Sequence, residues 1–292
     1  MRRAPRAQVR LSFAAWRRMT HTVGCVVSVL CLTCLALPAE SVDHAPLRAV
    51  GQPAMLALIV DDIGYNLERG RRTIALPGPI AVAVLPFAPH STRLALAAES
   101  TGAEVLLHEP MQATESTAEP GTLMANMTDA ALRDTFERAL ADVPNAVGVS
   151  NHTGSLLTSL RGPMRALMQE LHEHGLFFVD SRTTPATVAR DVAIESGVPA
   201  VPRDVFLDHV VTAQDIASEF ERAVALARKH GHAVLIAHPY DESLAFLETA
   251  LPTLAARGVE QVRLARLVAD VSPSAMPART EAPESPRTTP AL

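Results

Sequence analysis

The alternation of short apolar runs with amphipathic segments predicts an α/β protein, and its chain length favours a (β/α) barrel. Most of the apolar runs are continuous rather than alternating, as in parallel strands that are buried on both faces. About seven or eight β-α units follow one another within about 215 residues, which suits a barrel better than an open sheet. An open doubly wound sheet is the alternative, but no G-x-G-x-x-G motif follows the first run.

Eight apolar runs predict the strands of this barrel. They lie at 55–60, 80–85, 104–107, 146–149, 176–179, 200–201, 233–237 and 262–267. Four amphipathic segments predict helices, at 128–142, 165–174, 213–230 and 242–257. A glycine follows each of the last three segments, as is usual at a helix C-terminus, and Pro252 is expected to kink the last helix.

The two ends of the chain differ from this body. Residues 1–39 carry six arginines and no acidic residue, and they end in an uncharged apolar run, which is the layout of a secretory signal. A cut after Ala39 would release the body, but Leu37 fits the −3 position poorly, so an uncleaved membrane anchor is the alternative. The predicted divisions are a signal peptide or anchor at 1–39, a linker at 40–54, a folded domain at 55–270 and a disordered tail at 271–292.

Composition indicates in which cellular compartment the protein acts and which binding partners are excluded. Removing the six positive charges of residues 1–39 from the net charge of −5 leaves −11 for the rest, which argues against binding to nucleic acid. All three cysteines lie in the predicted signal, so the exported body cannot form disulfides. We therefore expect a protein of the periplasm or cell envelope that touches the membrane only through an uncleaved anchor.

Polar side chains capable of chemistry follow five of the predicted strands. They are Asp61 and Asp62, His108, Asn151 and His152, Asp180 to Arg182, and His238. A parallel barrel places the carboxyl ends of all its strands on one face, so these side chains are expected to converge on one pocket. A single polar residue at a strand end is usually a loop cap, but five such ends favour a common site.

The paired carboxylates of Asp61 and Asp62 need a cation or a raised pKa beside them, because like charges repel. One of them could ligate a metal while the other acts as a base, and capping of the next helix is the alternative. His108 and His152 are candidate metal ligands, because one Asp and two His leave a position open for water. Ordinary structural hydrogen bonding is the alternative for both histidines.

Other residues are candidates for catalysis or substrate binding. Arg182 could orient Asp180 and bind a substrate carboxylate or hydroxyl, or the two could form a structural ion pair. His238 is a candidate general acid. Asn151, Ser155 and Tyr65 are candidates for substrate binding. No G-x-S-x-G motif surrounds Ser155, which argues against a serine hydrolase.

Together these segments resemble the divergent polysaccharide deacetylase family, a distant branch of the NodB-homology, family-4 carbohydrate esterases. The matching stretches are IVDDIG (59–64), LPGPIAVAVLPFAP (76–89), HEPMQ (108–112), GVSNHTGSLLT (148–158), FFVDSRTT (177–184), VFLD (205–208) and LIAHP (235–239). They cover essentially the whole predicted domain. The resemblance implies a distorted (β/α) barrel of about seven strands with a NodB-like deacetylase fold.

The resemblance also implies roles for single residues. Asp61 would be the base, Asp62 a ligand of a divalent metal such as zinc, and His108 the first histidine ligand. Gln112 takes the second ligand position, which is a departure from the classical pattern, because a neutral amide oxygen is a poor zinc ligand. His152 could then supply the third ligand. Alternatively, the metal is weak or absent and the pocket binds glycan without cleaving it.

The resemblance places the general acid at His238, whereas Arg182 only loosely matches the R-x-P-aromatic motif of the classical enzymes. The sequence thus predicts an exported, metal-assisted hydrolase of N- or O-acetyl groups on an envelope glycan such as peptidoglycan. The alternative is a non-catalytic module that binds glycan or protein on the same scaffold. Gln112 favours that alternative, and the presence of the Asp61-Asp62 pair with His238 opposes it.

Overall fold

A computed structural model of the chain describes residues 53–115 and 118–272. The predicted signal or anchor, most of the predicted linker and nearly all of the predicted tail lie outside these residues. None of the helices in the described part is long and apolar enough to cross a membrane.

Strands and helices alternate along the described chain. The strands are β1 Ala54–Ile63, β2 Ala81–Val84, β3 Glu104–Met111, β4 Ala146–Thr153, β5 Phe177–Asp180, β6 Ala200–Pro202, β7 Val205–Phe206, β8 His232–Ala237 and β9 Val259–Gln261. The helices are α1 Leu67–Ile74, α2 Ser91–Thr101, α3 Asp129–Asp142, α4 Arg161–His174, α5 Ala189–Glu195, α6 Ala213–His230, α7 Asp241–Ala250 and α8 Leu264–Val271.

All strand pairs in the nine-stranded sheet are parallel, in the order β6-β5-β4-β3-β2-β1-β8-β7, and β9 pairs with β1. Only Arg203 and Asp204 separate the two outermost strands, β6 and β7. The Arg203 N–H donates to the Asp180 carbonyl of β5 (2.9 Å), and the Asp204 N–H donates to the Val234 carbonyl of β8 (3.0 Å). One interrupted strand therefore joins both edges of the sheet, and the predicted distorted barrel of about seven strands is confirmed.

The strands have an inner and an outer apolar face because successive side chains point to opposite sides. In β1, Leu56 and Leu58 belong to the large cluster under the helices, whereas Ala57 and Ile59 belong to a smaller cluster inside the barrel. Burial on both faces explains why the strands read as continuous apolar runs.

Helix α8 closes the amino end of the barrel. Its Leu264, Leu267 and Val268 pack into the inner cluster. The buried Glu104 at the start of β3 accepts hydrogen bonds from the backbone N–H groups of Leu264 (2.6 Å) and Ala265 (3.1 Å), so it caps the helix N-terminus. With this end filled, the polar residues of the interior lie at the carboxyl ends of the strands.

Two sequence-based element predictions need correction. The strand predicted at 262–267 is wrong, because the strand lies at 259–261 and α8 follows it. The spacing of Leu264, Leu267 and Val268 is that of a helix face, which a short apolar run does not distinguish from a strand. The helix predicted at 242–257 ends at Ala250 as an α-helix and continues as two 3₁₀ turns, which confirms the predicted break at Pro252.

Candidate active site

The inner faces of the strands carry polar side chains at the carboxyl end of the barrel. Asp61 follows Ile59 on the inner face of β1, and His108 follows Leu106 on the inner face of β3. His238 comes two residues after Ile236 of β8 in the same way. The two-residue period that buries the apolar residues therefore also places these polar side chains in one layer.

A turn at the end of β1 brings the second carboxylate into this layer. Asp62 has a φ of 59°, in the left-handed region that a non-glycine residue rarely adopts. Neighbouring residues of a regular strand point to opposite sides, so this turn lets both Asp61 and Asp62 face the mouth of the barrel. Backbone strain of this kind is frequent at functional sites.

Asp62 lies between two imidazoles. Its Oδ1 is 3.3 Å from Nε2 of His108 and 3.0 Å from Nδ1 of His152. One potential ligand atom from each of these three residues lies within 4.8 Å of the other two. Two nitrogen donors and one carboxylate oxygen form the kind of ligand set that holds a catalytic zinc ion and leaves further positions for water and substrate.

The contacts of Asp62 support this interpretation. Its Oδ1 is buried and accepts no hydrogen bond of normal geometry from any described residue, although both imidazole nitrogens are close to it. Both imidazole nitrogens thus converge on the same carboxylate oxygen. Although burial opposes it, the two imidazoles hold the pKa of Asp62 well below its usual range, so its carboxylate is ionised as a ligand must be.

Each histidine of this cluster has a partner on its other ring nitrogen. Nδ1 of the buried His108 lies 2.7 Å from Oγ of Ser150 on the neighbouring β4, so its Nε2 is left to face Asp62. Nε2 of His152 lies 3.5 Å from Oε1 of Glu119. Partners of this type fix the orientation and tautomer of metal-ligating imidazoles.

Asp61 differs from Asp62 although the two residues are adjacent. Its carboxyl is buried, its Oδ2 is 3.6 Å from Nε2 of His108, and its Oδ1 has no hydrogen-bond partner in the described part of the chain. Burial raises the pKa of Asp61, against the charges of His108 and His238. Two adjacent carboxyls whose pKa values move in opposite directions are suited to different tasks, one as a proton acceptor and one as a ligand.

His238 forms a dyad with Asp208, a residue to which the sequence alone assigned no role. Nδ1 of His238 is 2.8 Å from Oδ1 of the buried Asp208, whose Oδ2 accepts from the His238 N–H and from Oγ of Ser243, both at 2.7 Å. Burial alone would lower the pKa of His238, but the hydrogen bond and charge of Asp208 raise it to about 9. Nε2 of His238 lies 4.0 Å from Oδ2 of Asp62, so a proton donor faces the same centre. The position of Asp208, just after β7, is the signal that could have identified it.

Two of the predicted site residues hold the ends of β4 and β5 together. The Asn151 carboxamide accepts from the Ser181 N–H and donates to the Thr153 carbonyl, both at 2.8 Å. Asp180 accepts from the Arg182 N–H (2.8 Å) and from the Thr187 hydroxyl (3.0 Å). The contacts of Asn151 and Asp180 are therefore with the backbone and the adjoining loop, outside the Asp62 cluster.

The remaining predicted residues lie at the rim. Arg182 is exposed and contacts Asp180 through its backbone N–H rather than its guanidinium. The Ser155 hydroxyl accepts from the Thr114 N–H (3.0 Å), and Tyr65 is 56% exposed beside the end of β1. A cleft of about 140 Å³ adjoins this rim, lined by Met111, Gln112, Glu119, Met124, His152 and their neighbours.

The sequence of the described domain matches one known family. The family model for divergent polysaccharide deacetylases matches residues 58–268. The chain belongs to the divergent polysaccharide deacetylase family. An uncharacterized protein of Haemophilus influenzae is 38% identical over 200 residues, covering 68% of this chain and 71% of that protein. The uncharacterized protein YibQ of Escherichia coli is 37% identical over 208 residues, covering 70% of this chain and 65% of that protein.

The fold of this divergent polysaccharide deacetylase is also found in a solved structure. The uncharacterized protein ATU2773 from Agrobacterium tumefaciens superposes with a TM-score of 0.70 at 24% sequence identity, covering 75% of this chain and 91% of that protein. At that identity the likeness supports the barrel architecture alone.

The structure explains why Gln112 can stand where the classical pattern has a metal-ligating histidine. Oε1 of Gln112 accepts a hydrogen bond from the Ala125 N–H (2.8 Å), and the Gln112 backbone also pairs with Leu123. The side chain at the classical second-ligand position therefore anchors the loop that follows β3. The cluster around Asp62 draws its second imidazole from His152 on β4 instead.

Proposed function

We propose that this protein is a metal-assisted hydrolase that removes acetyl groups from a cell-envelope glycan. The observation that carries the proposal is the cluster of Asp62, His108 and His152, with a buried carboxyl on one side and an imidazole on the other. A divalent ion of the zinc type fits two nitrogen donors and one oxygen donor. Membership in a deacetylase family supports the acetyl group and the glycan as the substrate class.

The division of work follows from the environment of each group. When bound, the metal supplies Lewis-acid polarisation of the acetyl carbonyl. Asp61 takes a proton from the attacking water, and its raised pKa makes it a stronger base than an ordinary carboxylate. His238 is held protonated by Asp208 and donates a proton from Nε2 to the leaving amine or alcohol.

A non-catalytic module that binds glycan or protein is the second candidate. The observation in its favour is that Gln112 holds a loop where the classical pattern has a ligand. Against it stand the buried carboxyl of Asp61 and the His238-Asp208 dyad, because binding alone requires neither a base nor an acid.

A measurement of bound metal distinguishes the metal-assisted hydrolase from the non-catalytic binding module. The purified full chain, loaded with zinc, cobalt or manganese and desalted, should retain about one equivalent of metal. His108→Ala should lose it, while His230→Ala, which removes an exposed imidazole at the end of α6, should retain it. Failure of the wild-type protein to bind any of the three metals would rule out the metal-assisted mechanism.

Acetate release then tests the reaction. Peptidoglycan fragments and chitooligosaccharides should release acetate with the metal-loaded protein. Asp61→Asn should lower the rate by about 10²–10⁴-fold with little loss of metal, because it removes the base but no ligand. Equal rates for the wild-type and Asp61→Asn proteins would exclude Asp61 as the base.

The proposal includes export. Its support is the composition of residues 1–39, an arginine-rich segment that ends in an uncharged apolar run. Envelope fractionation of cells that express the full chain should place it outside the cytoplasm. N-terminal sequencing of the recovered protein distinguishes cleavage after Ala39 from a retained anchor.

A further inference from the structure

A buried hydroxyl lies unused in the same layer as the reaction centre. Ser181 follows Phe177 and Val179 on the inner face of β5, and both of those residues belong to the cluster inside the barrel. Its side chain is buried, yet its Oγ has no hydrogen-bond partner among the residues described. Buried hydroxyls are nearly always paired, so an unpaired one beside a candidate active site is a candidate partner for a bound ligand.

A partly buried guanidinium contacts the backbone of the same residue. Nε of Arg203 donates to the Ser181 carbonyl (2.8 Å), and Nη2 donates to the Arg182 carbonyl (3.2 Å). The guanidinium carbon lies 3.7 Å over the centre of the Phe206 ring. Arg203 forms no ion pair within 4.0 Å in the described part of the chain, although the carboxylates of Asp180 and Asp204 lie near enough to act on its charge. Burial lowers the pKa of Arg203 to about 10. The charges of Arg182 and Arg222 add to this shift and those of Asp180 and Asp204 oppose it, and the group stays charged at neutral pH.

Arg182 adds a second cation beside Ser181 and Arg203, and these three residues form one corner of the barrel mouth. Its exposed guanidinium likewise has no ion pair within residues 53–115 and 118–272. By contrast, the nearby Arg222 is paired with Glu219 on its own helix, at 2.6 Å. Arg182 and Arg203 thus differ from arginines such as Arg72, Arg133 and Arg266, each of which has a carboxylate partner within 4.0 Å.

The corner lies next to the reaction centre. The Phe206 ring that supports Arg203 also packs against the His238 ring, with 5.7 Å between their centroids. One phenyl ring thus lies between the guanidinium and the proposed proton donor. A group bound at this corner would belong to the sugar beside the one that carries the acetyl group.

We propose that Ser181, Arg182 and Arg203 form a subsite that binds a carboxylate of the substrate, and that the glycan is therefore acidic. Guanidinium groups match carboxylates in geometry as well as in charge, and a serine hydroxyl supplies one further donor. The inference rests on the deacetylase function proposed above. It names the substrate class as a glycan with a carboxylate on a sugar, either a lactyl ether or a uronate.

Calorimetric titration of the full chain tests the subsite without relying on turnover. The first probe is a tetrasaccharide of alternating N-acetylglucosamine and N-acetylmuramic acid, and the second is the same compound with its carboxylates reduced to alcohols. Reduction should weaken binding to the wild-type protein by roughly tenfold or more, because charge-assisted hydrogen bonds are lost. A hexuronate tetrasaccharide is the third probe, and tighter binding of this or of the first probe identifies the source of the carboxylate.

Single substitutions test whether the preference for the carboxylate depends on these three residues. Arg182→Gln should remove most of the preference for the carboxylate and leave the fold intact, because its side chain is exposed. Arg203→Gln should do the same, and Ser181→Ala should weaken the preference. Arg228→Gln removes an equal charge from the last turn of α6, at the opposite end of the barrel, and should keep the wild-type preference.

The outcomes distinguish this inference from the function on which it rests. Equal affinity of the wild-type protein for the native and reduced probes would overturn the subsite, even if both compounds release acetate. A carboxylate preference that Arg182→Gln and Arg203→Gln both retain would also overturn it. A preference lost in these variants, in a protein that releases no acetate, would support the subsite and count against the deacetylase function alone.

Discussion

Asp208 controls the protonation of His238, so its removal should change the pH dependence of the reaction. His238 acts as a donor only while protonated, and its pKa of about 9 keeps it so through neutral pH. In Asp208→Asn the charge that raises this pKa is lost, so the pKa should fall toward its ordinary value near 6.5. The alkaline limb of acetate release should therefore move from about pH 9 to near neutrality.

The pH profile of acetate release measures this shift. It should be recorded between about pH 5 and pH 10, which is the range in which imidazoles titrate. Ser243→Ala is the control, because it removes one hydrogen bond from Asp208 but keeps its charge beside His238. Its alkaline limb should stay close to that of the wild-type protein. An unchanged limb in Asp208→Asn would mean that His238 is not the group whose deprotonation ends activity.

The same residue pair predicts how stability depends on pH. A histidine whose pKa is raised on folding stabilises the native state fully below its unfolded pKa, near 6.5. This contribution is lost as pH rises through the folded pKa of about 9. Chemical unfolding of the metal-free wild-type protein should show a fall in stability over that window, and Asp208→Asn should show much less of one.

Glu119 is expected to tune the metal site through His152. Its Oε1 lies 3.5 Å from the ring nitrogen of His152 that faces away from Asp62. Carboxylates in this position orient ligating imidazoles, so Glu119→Gln should weaken zinc binding by about 10–100-fold. Competition with a chromophoric chelator measures the affinity, and Glu68→Gln on the exposed face of α1 is the matched control. Equal affinity in both variants would rule out this role for Glu119.

At the scale of single residues, the periodicity of the sequence predicted that the site residues converge, but it did not predict the residues that support them. Asp61, Asp62, His108 and His238 each follow the apolar part of a strand in one parallel sheet, so their meeting follows from topology. Asp208, Ser150 and Glu119 act by supporting those residues from neighbouring strands and loops. Such support depends on side-chain contacts between distant segments, which the pattern of a single segment does not contain.

At the scale of elements, the Glu104 cap on α8 makes a testable contribution to the fold. Its buried carboxylate satisfies two backbone N–H groups at the start of the helix that fills the amino end of the barrel. Glu104→Ala leaves both donors without this partner and should destabilise the protein by about 2–3 kcal/mol. Glu104→Gln keeps an acceptor oxygen and should cost less.

Denaturant unfolding measures both variants against the wild-type protein. Glu260→Ala provides the control, because its partner Arg266 is an exposed surface residue and the loss should stay within about 0.5 kcal/mol. If Glu104→Ala were no less stable than Glu260→Ala, the cap would contribute nothing to the closure of the barrel.

The elements that the sequence predicted correctly are those whose pattern is set by burial on two faces or on one wide face. The strands β1 to β6 and β8 read as continuous apolar runs, and α3 and α6 show clear helical spacing, whereas the two-residue β7 was not predicted. Helices α1, α2 and α5 went unpredicted because each is short, so that its apolar pattern repeats over few turns. The segment of α8 was predicted as a strand. A helix that fills the end of a barrel is apolar over much of its surface, as a buried strand is.

At the scale of the whole molecule, closure of the barrel joins the site to the fold. The ligand candidates come from β1, β3 and β4; β3 and β4 are neighbours in the sheet, and β2 lies between β1 and β3. Their separation along the chain, from Asp62 to His152, means that only the folded barrel brings them together. The unfolded chain offers no comparable site, so a metal that binds here must stabilise the native state.

The size of that stabilisation follows from mass action. At a free zinc concentration about 100 times the dissociation constant, the native state gains about 2.7 kcal/mol, which raises Tm by about 5–10 °C in a domain of this size. Thermal unfolding with and without zinc should show this shift in the wild-type protein. His108→Ala and His152→Ala should abolish it, and His230→Ala should keep it, because that imidazole lies at the far end of α6. A shift of equal size in all four proteins would place the stabilising ion elsewhere and remove the link between the barrel and its proposed metal.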